Sequence, residues 1–124
     1  MSMDLAVWSA RSFNLPAELP KSRDWKRTGK EFAFSAKGWH VLVLPSDEDE
    51  PESNIVEKLP GAAQVAYVTL EPIGADAAGY KMLEEVVREL ARQTGGVWVD
   101  PNGEPYLHDE GIIPLRQFQK ILGP

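Results

Sequence analysis

Apolar side chains recur most regularly between Tyr80 and Ala91. Leu83, Val86, Val87, Leu90 and Ala91 fall at i, i+3, i+4, i+7 and i+8, the spacing that gathers side chains on one face of a 3.6-residue helix, and Tyr80 extends the stripe by a turn. Lys81, Glu84, Glu85, Arg88, Glu89 and Arg92 occupy the other face, which is expected to meet water. The pattern predicts a helix over 76–94, with Asp76 able to cap its first N–H groups and Gly95 able to take the left-handed conformation that closes a helix. Val97-Trp98-Val99 then reads as a short returning strand, and Asp100-Pro101-Asn102-Gly103 as a turn.

Elsewhere the apolar period is two. Residues 4–10 read as a first strand with Val7 and Trp8 on opposite faces. Phe32 and Phe34 alternate with Ala33 and Ser35, and Trp39–Leu44 is apolar at nearly every position, so the two runs make a hairpin about Lys37-Gly38, with Pro45 ending the second. Residues 11–30, with Pro16 and Pro20, read as a long connection. Ser53–Leu59 reads as a short helix capped by Ser53, with Ile55, Val56 and Leu59 inward, stopped by Pro60-Gly61. Ala63–Glu71 is a strand whose Ala66, Val68 and Leu70 should face the long helix. Glu104–Leu107 can add a brief extended piece, and Pro114, Leu115, Phe118, Ile121 and Leu122 fit a terminal amphipathic helix.

The expected fold is α+β: an antiparallel or mixed sheet of four to five strands with helices on one face, ferredoxin-like in its leading arrangement. Strand–helix–strand over 64–99 should leave room for another strand between its two strands. The 124 residues fit one domain over 1–124, with 105–124 an extension or docking helix.

Charge adds an asymmetry to this frame. The net charge is −6, yet residues 1–44 hold seven Lys/Arg against four Asp/Glu, whereas residues 45–124 hold six against fifteen. A chain acidic overall repels phosphate at long range, so nucleic acid is an unlikely partner and a basic protein a more natural one. Cysteine is absent, which removes disulfides, thiolate metal sites and cysteine nucleophiles, and fits a reducing compartment such as the cytoplasm. No run approaches the roughly 18 apolar residues of a membrane span, and Met1–Asp4 does not resemble the basic start of a secretory leader.

Candidate chemistry is sparse. No Gly-rich phosphate loop, serine elbow or His-Glu-x-x-His helix occurs, so the chain is read as non-enzymatic, with no cofactor, metal or catalytic residue assigned. His40 sits in a strand and has no evident partner to orient its ring. His108 and Glu110 can share a face and, with remote carboxylates such as Asp100, define the alternative of a small metal-dependent hydrolase. Arg23, Trp25, Lys26 and Arg27, within the basic 21–30 segment, define a second alternative, a weak nucleic-acid-binding module. Asp47, Glu48, Asp49, Glu50 and Glu52 place five carboxylates in six positions; such a run repels itself and belongs in a surface loop, open to a basic partner.

The run Leu90-Ala-Arg-Gln-Thr-Gly-Gly-Val-Trp-Val-Asp-Pro101, a helix end, a Gly-Gly break, an apolar strand and Asp-Pro, resembles the corresponding turn of small bacterial immunity-type proteins of unknown function. That resemblance implies a protein that occludes a toxin, with the 47–52 loop as its contact to a basic nuclease. The leading expectation is therefore a protein-binding module using Asp47, Glu48, Asp49, Glu50, Glu52 and Trp25, with partner identity and oligomeric state left open.

Overall fold

In the computed structural model, residues 3–21, 24–71 and 77–111 are described. The periodic stretch forms helix α2 (Ala77–Thr94), which buries Tyr80, Leu83, Val86, Val87, Leu90 and Ala91, the predicted stripe. Gly95 follows at φ +69, the left-handed position that ends a helix without penalty only in glycine. Asp76, the expected cap, lies outside the described residues, as does the tail with Leu115 and Phe118.

Among the described residues, seven strands make one sheet: β1 (Met3–Ser9), β2 (Lys26–Thr28), β3 (Glu31–Ala36), β4 (Trp39–Ser46), β5 (Gln64–Glu71), β6 (Val97–Val99) and β7 (Pro105–Tyr106). Their order is β2-β3-β4-β5-β1-β6-β7, and every neighbouring pair is antiparallel. β5 and β6, joined through α2, flank β1, so the crossover does leave a slot for one strand. The α+β class holds. The strand count exceeds the expected four to five because two short edge pieces join: β2, three residues within the basic connection, and β7, which brings Pro105 and Tyr106 into the sheet.

Alternation along the strands sorts the core into two layers. Leu5 and Val7 of β1, Val41 and Val43 of β4, Ala66, Val68 and Leu70 of β5, and Trp98 of β6 pack beneath α2. Trp8, Val65, Val97 and Val99 point the other way and pack with Ile55 of helix α1 (Ser53–Lys58). The expectation of helices on one face is thus corrected. A Trp and three Val on the second face are too apolar to leave in water, and Ile55 of α1 packs over them. Within α1, Glu52 rather than Ser53 stands at the N-cap, without a side-chain bond, and Val56 points outward at 42% exposure. Pro45 does not end β4; it continues opposite Ala66 of β5. The β3–β4 ladder stops at Phe32 and Val43, so beyond that point β4 is a local edge, where a missing N–H breaks no pairing.

Two contacts lock the remaining pieces. The 11–21 stretch is anchored by buried Glu18, whose carboxylate accepts from the Asn14 N–H and from Arg11, while Arg11 also donates to the Gln93 carbonyl at the C-terminal end of α2, where a cation is favoured. Gly96 sits against β1 so closely that a Cβ would lie 2.1 Å from the Trp8 carbonyl oxygen, which only glycine permits.

Candidate partner-binding surface

Among the described residues, the side of the sheet away from α2 is only partly covered. α1 lies over its β1/β6 end, whereas Leu44 of β4 and Tyr67 of β5, directly opposite each other, remain 42% and 36% exposed. Their exposure follows from strand phase. Val43 and Val68 point into the α2 layer, so Leu44 and Tyr67 must point out.

The acidic run leaves β4 beside this pair and leads into α1. Asp47, Glu48, Asp49, Glu50 and Glu52 are all exposed. The loop is nevertheless fastened: the Tyr67 hydroxyl donates to the Asp49 carboxylate at 2.6 Å, the Ser46 hydroxyl accepts the Glu48 N–H at 3.3 Å, and the Glu52 carbonyl accepts the Ile55 and Val56 N–H groups. Burial, and then the hydrogen bond and negative charge of Asp49, push the Tyr67 phenol up to about 12, so it stays a neutral donor at any physiological pH. Between loop and sheet lies a cleft of about 310 Å³ walled by Trp8, Ile55, Tyr67 and Val99. Asp49, Glu50 and Glu52 contribute its charge, and among the described residues no lysine or arginine lines it. Asn54 donates to the Gly103 carbonyl at 2.8 Å, tying the start of α1 to the turn at the cleft's far side. A solvated acidic loop and an apolar sheet face have become one rimmed recess.

That turn is built by Asp100, only 7% exposed. One carboxylate oxygen accepts the N–H groups of Asn102 and Glu104, each at 2.9 Å, and the other accepts the Tyr106 hydroxyl at 3.2 Å. Burial and the Asp100 charge raise the Tyr106 phenol above its ordinary value. Asp100 is thereby committed to the backbone, and the metal role considered for it has no geometric support.

The other sequence-nominated residues lie apart from the cleft. Trp25 packs its ring against Phe34, at 6.0 Å between centroids, and donates its indole N–H to the Pro20 carbonyl, on the α2 side of the sheet. It is not brought together with the acidic loop. Arg27 lies over the Phe32 ring and donates to the Gly29 carbonyl; Arg23 lies outside the described residues. His108 is exposed, and its carbonyl accepts from Arg88. Glu110 accepts the Leu107 N–H and pairs with Lys58 at 2.8 Å, and that ammonium chiefly holds its carboxyl below the usual range. Among the described residues, no three His, Asp or Glu side chains are grouped as metal ligands.

Two partnerships were invisible in the sequence. His40 does have a carboxylate partner: Glu71, opposite it across β4 and β5, lies 2.9 Å from Nε2. Both side chains are about two-fifths exposed, so water screens the pair. Arg88, read as part of a solvated helix face, instead lies over the Trp98 ring at 5.1 Å and gathers the carbonyls of His108 and Glu110. The signal that could have found the cleft is Tyr67, a large aromatic at an outward position of a strand whose inward residues were already assigned.

No protein-family model matches the chain, and neither a curated protein nor a solved structure does. Among the described residues, no helix is long and apolar enough to cross a membrane.

Proposed function

We propose that this chain is a non-enzymatic bacterial protein-binding module of the immunity type, which meets a basic protein, a toxin in the leading reading, and blocks it by surface complementarity. One observation carries the proposal: the Asp49–Tyr67 hydrogen bond holds the acidic loop beside an exposed apolar pair, Leu44 and Tyr67, on the sheet face away from α2. Interfaces join such apolar, aromatic centres to charged rims, and a cluster of one sign steers an oppositely charged partner. The loop is the contact, with Trp25 engaged in packing on the other face. A cytoplasmic location fits a chain without cysteine. A ferredoxin-like core fits the β6-β1-β5-β4 order with α2 as crossover; between β1 and β4 in the chain, where that fold has its first helix, this chain has the β2–β3 hairpin, which extends the sheet beyond β4.

The test is binary binding between the purified chain and the products of genes adjacent to its own. Tight association, weakened when Asp47, Glu48, Asp49, Glu50 and Glu52 are replaced by Lys, supports the proposal. Absence of any association at low salt removes it.

A further inference from the structure

Charge and shape at the cleft narrow the partner's chemistry. Of its eight lining residues three are carboxylates and none is a cation, while the walls are aromatic and aliphatic. Three other clefts among the described residues differ in this respect. The larger one at Phe34 and Trp39, about 500 Å³, carries Lys81 among its acids, and those beside Pro20 carry Lys21. The nearest basic side chain on α1, Lys58, is already paired with Glu110. Among the described residues, a cation entering from a partner would therefore meet carboxylates without a lining cation at the mouth and apolar surface at the base.

The two biological cations respond differently to such a site. A lysine ammonium is compact and strongly hydrated, so an apolar wall strips its water without replacement. A guanidinium is planar and weakly hydrated on its faces, lies against aromatic rings, and presents a fork of N–H donors to carboxylates. Tyr67 is suited to the first of these contacts because its hydroxyl is committed to Asp49, which fixes the ring while holding a carboxylate beside it.

We propose that the cleft between the 47–52 loop and the sheet is a receptor for an arginine side chain of the protein partner, its guanidinium stacked against Tyr67 and its N–H groups donated to Asp49, Glu50 and Glu52. This assignment rests on the protein-binding reading and adds to it a preference for arginine over lysine at equal charge.

The experiment is a titration of the full-length ¹⁵N-labelled chain with hexa-arginine and with hexa-lysine at low salt, read by amide chemical shifts. Hexa-arginine should bind about tenfold more tightly, with shifts centred on Trp8, residues 49–55, Tyr67, Val99 and Gly103. Tyr67→Leu should abolish the preference between the peptides, and Glu50→Gln with Glu52→Gln should weaken both. Equal binding of the two peptides overturns the arginine assignment while leaving a charge-driven partner interaction standing. If neither binds, the assignment falls, and the protein-binding reading is decided by the genuine partner alone. Cleft resonances that move on dilution would identify a second copy as occupant. Movement on Leu115→Ser with Phe118→Ser, without peptide, would identify the chain's own 112–124 segment. Either result overturns the proposal.

Discussion

Replacing Tyr67 by Phe removes one oxygen and tests whether the acidic loop is anchored. A hydrogen bond to a charged acceptor contributes about 1.5–3 kcal/mol when water is excluded. Tyr67 is 36% exposed and Asp49 is exposed, so solvent competes for both groups and the loss at pH 7 should be about 0.5–1 kcal/mol. A second signature lies at high pH. The phenol, raised from 10.0 to about 12, is held neutral by the fold more strongly than in the unfolded chain. Its contribution is fully present below pH 10 and is lost as pH rises towards 12, because the unfolded state releases the proton first. Two units correspond to at most about 2.7 kcal/mol, and partial exposure should reduce this to about 1 kcal/mol. Urea unfolding followed by tryptophan fluorescence, for wild type and Tyr67→Phe at several pH values, isolates the effect. Lysines and the other tyrosines cancel in the difference. The stability gap should stay constant up to pH 10 and close by pH 12. A gap that does not change over this interval would refute the anchoring of Asp49 by Tyr67.

Substitutions at Asp100, Gly96, Gly95 and Arg88 probe the scaffold. Asp100→Ala leaves the N–H groups of Asn102 and Glu104 without their acceptor and should cost about 2–3 kcal/mol in urea unfolding, against less for Asp100→Asn, which keeps one acceptor oxygen. Gly96→Ala must push β6 away from the Trp8 carbonyl and should cost about 3 kcal/mol or prevent folding, whereas Gly95→Ala, strained only in φ, should cost about 1–2 kcal/mol; the reverse order would contradict the close approach. Arg88→Met keeps a long apolar stem for Trp98 but removes the donors to the His108 and Glu110 carbonyls, so it should cost about 1–2 kcal/mol and hasten amide hydrogen exchange at residues 107–111.

What the sequence makes legible here is periodic. The α2 stripe, the hairpin about Lys37-Gly38, the inward phase of Ala66, Val68 and Leu70, and the slot between β5 and β6 all follow from repeats of 3.6 or 2 and from turn chemistry. Pairing between distant positions is not periodic and stays hidden. β2 is three exposed residues that become a strand only because β3 offers an edge. α1 goes to the second face because Trp8, Val65, Val97 and Val99, far apart in the chain, converge there. The same limit applies to the candidate site. The carboxylates of 47–52 stand out by composition alone, but the recess beneath them is assembled from β1, β5, β6 and α1, and no local pattern announces it. His40 and Glu71 meet for the same reason, through strand register 31 positions apart.

The central claim is that the loop and its cleft bind a basic protein. Its most direct measurement is the affinity of a partner encoded beside this chain, by calorimetry, for three forms: wild type, the 47–52 chain with its five acids changed to Lys, and Tyr67→Phe. The account predicts that the charge-reversed chain loses binding by a factor of 100 or more, about 2.7 kcal/mol, that Tyr67→Phe loses it by a factor of about 3–10, and that salt weakens the wild-type complex. A partner that binds all three forms equally, with no dependence on salt, would contradict it.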